Sequence, residues 1–540
     1  MIPLVLFAIA LIVRAIVGNA FSGPAYPDSY YYVHVANQLA AGHGFSVDYI
    51  WNFDDAGGRL LGAAPMLPVP ANALWMPLAE LVQVPLIWLL GPTALAAGLP
   101  FWVIGALAAP IAYLIGLDAG LGRTASAGAG LLVAVPGGLT PFVAQPDNFA
   151  LFMTLGALSL WLCARGIRGD RRAFVLGGVA VGLATLARSD GILLGLPFAL
   201  VGMRELWRRD RPRLGLAAIA GCAVLFVLTV GPWIYRQLEV FGSISPASGR
   251  LLWLTDYQQL FSESSPPSPN SFFAQGLEWL LVSRAEGLLA AFGLFALLPL
   301  VVVLVPFAVT GGWLLRRNTA FAPFFVYAAA LFAAHGLLFP VLVTHGTFIH
   351  SAAALVPHSY LLVVAGVAAS VRWLAGRRPG WDVQQATRVF TYGAAMVALL
   401  GAGVQTINTV GQWSAARNVQ DQLADSLGAA PVSERVMSAN PGAYRHLSGH
   451  PGLVTPSDPL PVIEQVLRAY NVRWLVLERA SIVPALAPVL TGEVRPAWLS
   501  PPVGVVRSEQ RATVAAGSEQ LPAGALFAVC FSAVDTRCDP

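Results

Sequence analysis

The chain contains no lysine, and all 32 of its basic residues are arginine. Charged residues make up only 11% of the 540 residues, less than half of the share of about 25% that is usual in soluble domains. Hydrophobic residues make up 56%, and the mean hydropathy is +0.66. This composition excludes an ordinary soluble globule and predicts a protein that crosses a membrane several times.

Other familiar signatures are also missing. Four cysteines are too few for a disulfide scaffold, and only Cys530 and Cys538 are close enough in sequence to suggest a pair. The tail after about residue 411 has no glycine-rich phosphate loop, dinucleotide fingerprint or metal-spaced cysteines and histidines. The absence of a basic tail argues against a nucleic-acid partner. The absence of an internal repeat argues against a transporter that is built from duplicated halves.

Apolar segments long enough to cross the hydrocarbon core, which takes about 20 residues, recur along the first three quarters of the chain. We predict eleven such spans, at residues 2–21, 94–117, 124–141, 148–164, 173–187, 191–206, 214–235, 287–315, 321–343, 351–371 and 389–410. The fold class is therefore an all-α polytopic membrane protein.

The distribution of arginine gives the orientation of these spans. Of the 22 arginines up to Arg388, 16 fall in loops that share one side of the membrane. Those loops contain Arg123, residues 165–172, residues 204–213, Arg316 with Arg317, and residues 372–388. Because arginine is enriched in cytoplasmic loops, we predict a multi-pass plasma-membrane protein with a cytoplasmic N-terminus and an extracytoplasmic C-terminus.

This topology predicts two domains. Residues 1–414 would form a transmembrane domain with a first outer loop at 22–93 and a second large outer loop at 236–286. Residues 415–540 would form a small extracytoplasmic domain of mixed α/β structure. We predict mixed α/β structure because three β-like runs (VMSAN, RWLVLE, LFAVCF) alternate in the tail with a helix-like run, PLPVIEQVLRAYN.

A short hairpin is predicted at residues 173–206. Both flanks of this segment are rich in arginine and should share the cytoplasmic side. Two spans joined by a turn at residues 188–191 satisfy this requirement, whereas one long helix does not. The first arm, at 15 residues or about 22 Å, is shorter than the hydrocarbon core of about 30 Å. We therefore expect the turn to lie below the outer surface.

Two acids lie at predicted outer ends of helices. Asp28 follows Pro27, and Asp147 follows Pro146. Each could simply be an N-cap, Asp28 for a helix over 29–41, because aspartate is favoured in that position. Since both fall on the outer side, they could instead hold a divalent cation against phosphate oxygens, or one could act as a general base while the other orients.

Arginines near the outer side are candidates for binding a phosphate. Arg188 and Asp190, in the turn LARSDGILL, could neutralise each other, since charges at membrane depth are costly unless they are paired. A recessed guanidinium is also suited to binding a lipid phosphate through two parallel hydrogen bonds. Arg236 is a weaker candidate, and extension of its side chain toward lipid headgroups is the better explanation.

Two further residues are candidates for contact with a substrate. Tyr31 lies in an aromatic run and could anchor at the membrane interface or stack on a sugar ring. His350 and His345 are five residues apart and would face different directions on a continuous helix, so a metal pair requires a chain break at Gly346. His350, beside Ser351, could have a single polar role or be an ordinary interfacial histidine.

The order of several motifs resembles a known family. The motifs are PDSYYYVHVANQLAAGHGF in the first outer loop, QPDNFALF, LARSDGILL, GPWIYRQLEVFG and HGTFIHSAAALVP. Together they resemble the GT-C superfamily of membrane glycosyltransferases, and in particular the bacterial relatives of protein O-mannosyltransferases and aminoarabinose transferases. The resemblance covers about residues 1–415, and the tail is similar to the outer soluble domain that many such proteins carry.

The resemblance implies an inverting glycosyltransferase that moves a hexosyl or pentosyl group from a polyprenyl-phosphate donor to a lipid, glycan or protein acceptor at the outer face. It implies that Asp28 is the first-loop acid, acting as a base or near a metal, and that Asp147 is the second acid. A divalent cation, Mg or Mn, would then be held by Asp28 and Asp147. The segment LPVPANALW (67–75) lacks the acid and base that these relatives have before their prolines, which leaves the metal requirement open.

Two other functions remain open at this point. A polytopic lipid or sugar transporter would share the hydropathy, although its polar residues should lie in mid-membrane rather than at the outer ends of the spans. A noncatalytic membrane scaffold could also present the outer domain.

Overall fold

The computed structural model describes residues 1–62, 66–207, 214–377, 380, 382–507 and 522–531. The arginines at 208–213 and the suggested partner cysteine, Cys538, lie outside these ranges. The chain divides into two compact units. The helical unit comprises Met1–Pro24, Trp75–Glu239 and Gly276–Val410, and the sheet unit comprises Ala25–Leu74, Val240–Gln275 and Gly411–Pro540.

Most of the described residues are helical. The α-helices, in chain order, are α1 (Ile2–Ala20), α2 (Pro27–Ala40), α3 (Leu78–Leu81), α4 (Val84–Leu90), α5 (Ala94–Ala106), α6 (Ala108–Asp118), α7 (Gly122–Ala134), α8 (Asn148–Ile167), α9 (Arg171–Ala187), α10 (Gly195–Trp207), α11 (Leu216–Phe241), α12 (Ser248–Leu251), α13 (Pro269–Phe273), α14 (Gly276–Leu297), α15 (Val305–Leu315), α16 (Ala322–Ala333), α17 (Thr347–Ala352), α18 (Val356–Ala375), α19 (Val383–Ser426), α20 (Pro441–Ser448), α21 (Leu460–Ala469) and α22 (Ala487–Leu490).

The polytopic, mainly helical class is confirmed. In the described ranges, 7 helices are long and apolar enough to cross a membrane: Ile2–Ala20, Ala94–Asp118, Asn148–Ile167, Leu216–Phe241, Gly276–Leu297, Thr347–Ala375 and Val383–Ser426. The pair Gly122–Ala134 and Gly137–Ala144, bent by 46°, would make an eighth. The remaining predicted spans fall on shorter helices, so the count of eleven stays a prediction.

One predicted span is wrong as a continuous helix. The segment 287–315 is split between the end of α14 and α15, with non-helical backbone between Leu297 and Val305. Val301 and Val302 have φ values of 49° and 59° in this break, a region that β-branched residues rarely adopt. The run of valines and leucines looks continuous in sequence, because hydropathy does not report backbone breaks.

The hairpin over 173–206 has its turn where the sequence predicts it. Helix α9 ends at Ala187, and a 3-10 helix at Ser189–Leu194 leads into α10. The rings of Phe174 and Phe198 lie 5.2 Å apart, so the two arms pack against each other. A side chain at Gly177 would overlap Phe198, so glycine allows this close approach.

The sheet unit contains eight described strands in two sheets. They are β1 (Ser46–Val47), β2 (Tyr49–Ile50), β3 (Val69–Pro70), β4 (Arg435–Ser438), β5 (Gly452–Val454), β6 (Val472–Glu478), β7 (Leu499–Arg507) and β8 (Pro522–Val529). Strands β1 and β3 form an antiparallel pair. The larger sheet has the order β2-β5-β4-β6-β8-β7, parallel from β2 to β6 and antiparallel across β6, β8 and β7.

The larger sheet joins the first loop to the tail. Strand β2, from the first loop, pairs in parallel with β5 through Tyr49 and Gly452. A side chain at Gly452 would come within 2.2 Å of the carbonyl oxygen of Val436, so only glycine fits between these strands. The core over the sheet is built by the end of α19, by α20 and by inward-facing strand residues: Leu423, Leu427, Tyr444, Val436, Trp474, Val476, Leu526 and Ala528.

The second loop is fastened to both the first loop and the tail within this unit. Arg250 donates to Asp54 Oδ1 at 3.0 Å, and the Glu263 carboxylate accepts from Arg59 Nε at 2.9 Å. The buried Asp458 carboxylate accepts from Ser262 Oγ at 2.9 Å and from the backbone N–H of Glu263 at 2.7 Å. Three distant stretches of sequence are therefore held together by carboxylates.

Asp458→Ala should destabilise this arrangement. It would leave buried backbone N–H groups without their acceptor, at a cost of about 3 kcal/mol in the free energy of unfolding. We expect faster proteolysis within residues 250–264, measured by mass spectrometry on the purified protein. The exposed Asp425→Ala serves as the control and should behave as wild type. Equal protease resistance in both variants would contradict the proposed anchoring role of Asp458.

A second carboxylate, Asp55, is buried with its own set of donors. Its oxygens accept from Ala73 N at 3.1 Å, Asn52 Nδ2 at 3.1 Å and the Tyr31 hydroxyl at 3.3 Å. Burial nevertheless raises the pKa of Asp55 from 3.8 to about 7, because the hydrogen bonds that favour the charged form only partly offset desolvation.

This raised pKa predicts a pH dependence of stability. The folded state holds a proton that the unfolded chain releases above about pH 4, so the stabilisation is complete below pH 4 and is lost as the pH rises through about 7. The wild-type melting temperature should therefore fall by several degrees between pH 5 and pH 8. Asp55→Asn should reduce that fall, whereas Asp425→Asn should retain it. Parallel curves for wild type and Asp55→Asn would refute this assignment.

Candidate functional site

The acid Asp147 lies at the start of α8 in the helical unit. It is the N-cap of that helix, and its carboxylate accepts from the backbone N–H of Asn148. The predicted capping role is therefore confirmed. Asp147 is fully buried, however. A cap alone does not require burial, because most N-cap residues are satisfied at a surface.

His350 is the partner that the fold brings to this acid. Its Nδ1 lies 3.9 Å from Asp147 Oδ2 and 2.7 Å from Asn148 Oδ1. Its ring stacks on Phe149 with centroids 3.7 Å apart. The chain is broken just before, because Gly346 adopts a φ of 92° and ends a 3-10 helix at Pro340–His345. The break that a metal pair with His345 would require is therefore present. His345 is exposed, however, and its Nδ1 lies 3.0 Å from the carbonyl oxygen of Val341, whereas His350 is buried in the next helix, α17.

Arg188 and Asp190 form a pair in the hairpin turn. Arg188 Nε donates to Asp190 Oδ1 at 3.2 Å and to Ser351 Oγ at 3.0 Å. Its Nη2 donates to the carbonyl oxygen of Thr347 at 3.2 Å. The ion pair between Arg188 and Asp190, one of the two roles that the sequence allows, is therefore present. The Arg188 side chain is 15% exposed.

His335 completes this second cluster and was not identified from sequence. Its Nε2 lies 3.0 Å from Asp190 Oδ2, and it is buried. It sits in a π-helical turn at Ala334–Leu338 that follows α16, and such turns are frequent at functional sites. The Ser351 hydroxyl also donates to Asp190. The only sequence signal was a histidine inside an apolar run, FAAHGLL, where an unpartnered polar side chain is costly.

Helix α17 connects the two clusters. Thr347 and Ser351 contact Arg188, while His350, on the same six-residue helix, contacts Asn148 and lies near Asp147. An acid–histidine pair and an arginine–acid–histidine cluster are therefore held by one short helix. This arrangement can bind an anion at the guanidinium and can accept or orient a proton at the carboxylate and the imidazole.

Asp28 lies in the sheet unit, at the first turn of α2. The prediction that it caps this helix is wrong, because Tyr26 is the N-cap and Asp28 is the second helical residue. The Ser29 hydroxyl instead accepts from the backbone N–H groups of the N-cap Tyr26, at 3.4 Å, and of Ala25, at 2.8 Å. An acid in the first turn is favoured by the helix dipole, and its carboxylate is not used as the N-cap. The catalytic role of Asp28 stays a prediction.

Tyr31 is an internal residue of the sheet unit. Its ring is fully buried and lies at right angles to those of Tyr32 and Tyr49. Its hydroxyl donates to Asp55 Oδ2 at 3.3 Å and accepts from Asn72 N at 2.7 Å. Because no face of the ring is open to a ligand, the structure corrects the expectation that Tyr31 stacks on a sugar.

Arg236 makes contacts with its own helix. Its guanidinium carbon lies 4.9 Å from the centre of the Trp233 ring, and its Nη1 donates to Gln237 Oε1 at 3.4 Å. The cation–π contact anchors the side chain locally. A role in binding substrate stays a prediction for this residue.

The helical unit offers two ligand types that a transition metal accepts. Asp147 supplies a carboxylate oxygen and His350 an imidazole nitrogen. Their separation of 3.9 Å is slightly longer than the ~3–3.5 Å expected for two ligands of one ion with bonds of about 2.1 Å. A small rotation of either side chain would bring the two atoms to that distance. The donor set fits a divalent cation once Nδ1 gives up its hydrogen bond to Asn148 Oδ1, because a ring nitrogen that donates a proton cannot also bind a metal.

Asp190→Ala should destabilise the helical unit. Arg188 would keep its other contacts but lose the carboxylate, and a partly buried guanidinium without its acid should lower the free energy of unfolding by about 3 kcal/mol. The control is Asp118→Ala, which removes a more exposed carboxylate that accepts from Arg168 and should cost less than about 1 kcal/mol. Unfolding in detergent gives both values, and equal losses would contradict the buried character of the Arg188–Asp190 pair.

Part of the chain matches the model of a known family. Residues 91–240 match the family model described as Dolichyl-phosphate-mannose-protein mannosyltransferase. This segment includes Asp147 and the Arg188–Asp190 turn, although it does not extend over the whole chain. No curated protein sequence matches the chain significantly.

Solved structures match over much more of the chain. ArnT from Cupriavidus metallidurans bound to undecaprenyl phosphate is 15% identical, with 97% of each chain covered and a TM-score of 0.50. The archaeal oligosaccharyltransferase AglB from Archaeoglobus fulgidus, with an inhibitory peptide and a dolichol-phosphate, is 12% identical, with 88% of this chain and 69% of AglB covered and a TM-score of 0.50. The A. fulgidus oligosaccharyltransferase in complex with Zn and sulfate is 14% identical, with 88% of this chain and 67% of that chain covered and a TM-score of 0.55.

These matches confirm the resemblance to the GT-C superfamily of membrane glycosyltransferases. The family model matches a segment that contains part of the candidate site, and the chain shares the fold of ArnT and AglB. At identities this low the structural likeness shows the fold alone. The likeness does not identify the substrates of this chain.

Proposed function

We propose that the protein is an inverting glycosyltransferase that moves a sugar from a polyprenyl-phosphate-linked donor to an acceptor hydroxyl at the outer face of the membrane. The observation that carries the proposal is the joint placement, by α17, of the Asp147–His350 pair and of the Arg188–Asp190–His335 cluster. The two clusters supply an acid beside an imidazole and a guanidinium suited to phosphate.

In this proposal Arg188 receives the phosphate of the donor. Asp190, Ser351 and the Thr347 carbonyl hold the guanidinium, so little ordering remains to be done when the anion binds. As the bond between the sugar C1 and the phosphate oxygen breaks, its electron pair goes to that oxygen. Arg188 then stabilises the negative charge of the leaving lipid phosphate.

The acceptor hydroxyl attacks C1 from the opposite face, which inverts the configuration. Its proton passes to a carboxylate, a role that we propose for Asp28. The proposal for Asp28 rests on its sequence context and on its position in the first turn of α2, where it is not the N-cap. Asp147, beside His350, would orient the reactants or bind a cation.

A divalent cation at Asp147 and His350 would supply positive charge for the phosphate oxygens. The fit of these two ligand types supports this, and a structurally similar archaeal oligosaccharyltransferase was solved with Zn. We propose Asp28 as a further ligand of this cation, on the basis of the sequence alone. The lipid phosphates bound to ArnT and AglB support the proposed donor class, and the peptide bound to AglB supports a protein acceptor.

Asp147→Asn should slow transfer strongly while preserving the fold, because asparagine caps a helix as well as aspartate does. The matched control is Asp170→Asn, since Asp170 is likewise an N-cap, on α9, and accepts from Ala173 N. In proteoliposomes with a labelled polyprenyl-phosphate sugar and a hydroxyl acceptor, we expect a rate about 100-fold lower for Asp147→Asn and a normal rate for Asp170→Asn. Asp28→Asn should resemble Asp147→Asn.

The same assay separates the other functions. Movement of the labelled lipid without a new glycoside would indicate a transporter. Unchanged transfer in both Asp28→Asn and Asp147→Asn would rule out the site assignment, and the absence of any transfer in wild type would favour a scaffold. Transfer that stops with a chelator and returns with Mg or Mn would support the cation.

A further inference from the structure

The segment that leads to Asp147 is irregular and almost wholly buried. It joins α7 to α8 through two 3-10 helices, Gly137–Leu139 and Phe142–Ala144. Irregular backbone among membrane helices has to be held by surrounding protein, because no water can satisfy its polar groups. The contacts that hold this segment therefore set where its last residue, Asp147, lies.

Trp102 holds the end of the segment nearest the acid. Its indole N–H donates to the carbonyl oxygen of Ala144 at 2.8 Å, three residues before Asp147. The ring lies against Gly18 of α1, where a side chain would come within 2.4 Å of it. Glycine at position 18 therefore leaves the space in which the indole fits, and the hydrogen bond fixes the segment to α5.

Arg14 holds the beginning of the segment. Its Nη1 donates to the carbonyl oxygen of Ala134, the last residue of α7, at 3.3 Å. Arg14 is only 1% exposed, and Gly105 leaves room for its guanidinium. Burying this charge is costly, but the end of a helix is a suitable place for it, because unpaired carbonyl groups and the negative end of the helix dipole lie there.

The middle of the segment is fixed to another chain break. Gly138 N donates to the carbonyl oxygen of Leu298 at 2.7 Å, within the non-helical stretch between α14 and α15. Gly137 has a φ of 56°, and a side chain there would come within 2.2 Å of the same oxygen. The segment is thus attached at both ends and at its centre.

We propose that Trp102 and Arg14 are positioning residues for the transfer reaction, which hold residues 135–147 so that the Asp147 carboxylate meets His350. This inference rests on the proposed function. Both side chains act through backbone carbonyl oxygens rather than on the reacting atoms. The acid could not keep its place if the backbone before it moved, and small displacements of a reacting group lower the rate of the chemical step strongly.

The test is Trp102→Phe, which keeps most of the ring and removes the N–H donor. We expect kcat to fall about tenfold while KM stays within about twofold of wild type. The matched control is Trp161→Phe, because Trp161 Nε1 makes a bond of the same length, 2.8 Å, to Asp118 Oδ2. This control should leave both constants unchanged. In an Asp147→Asn background, Trp102→Phe should cause no further loss, since the two changes act on one group.

A second measurement does not depend on activity. Hydrogen exchange of the backbone amides at 142–148 should be at least tenfold faster in Trp102→Phe than in Trp161→Phe. If Trp102→Phe does not fold, Arg14→Leu and Arg14→Gln replace it: the glutamine variant keeps a donor for Ala134 and should retain more activity than the leucine variant.

The outcomes separate this inference from the proposed function. If Asp147→Asn keeps full activity while exchange is fast in Trp102→Phe, Trp102 holds the segment but Asp147 is not needed for transfer. That result would overturn both the proposed role of Asp147 and the role of Trp102 in catalysis. Wild-type exchange and an unchanged kcat in Trp102→Phe would overturn the positioning alone. A fall in kcat that is equal in Trp102→Phe and Trp161→Phe would also overturn it, because a general loss of stability would explain both.

Discussion

The helical unit depends on one constraint: a charged or strongly polar group among its apolar helices must be held by other polar groups, because water is not there to solvate it. Asp190 pairs with both Arg188 and His335, and Ser351 accepts a hydrogen bond from Arg188. Arg14 donates to the carbonyl oxygen of Ala10 on its own helix and to that of Ala134 at the end of α7. Because each partner fixes the geometry of the next, the same contacts that make buried charge tolerable also orient the groups that we assign to chemistry.

The candidate site lies where helices are interrupted. Gly346 breaks the chain before α17, a π-helical turn carries His335, and irregular backbone leads to Asp147. A continuous helix uses its backbone N–H and C=O groups internally and presents side chains with fixed spacing. Interrupted helices free polar backbone groups and bring together residues that are far apart in sequence, which explains how Asn148 and His350 meet.

The sequence predicts the class of the fold and much of the site. Long apolar runs and sorted arginines indicate the spans, and the runs VMSAN, RWLVLE and LFAVCF fall on β4, β6 and β8. The turn at Arg188 and the cap at Asp147 follow from local rules. His335 and Asp55 could not be found this way, because their partners are distant in sequence. The break inside 287–315 and the burial of Tyr31 were missed because hydropathy and aromatic content report composition and do not report backbone geometry or burial.

The central claim is that the helical unit binds the phosphate of a lipid-linked donor at Arg188. The most direct measurement is photo-crosslinking with a polyprenyl phosphate that carries a photoreactive group next to its phosphate, followed by mass spectrometry of the labelled peptides. The account predicts labelling within residues 188–194 and 347–351, with competition by unlabelled polyprenyl phosphate. Competed labelling confined to the sheet unit, with none in these two segments, would contradict it.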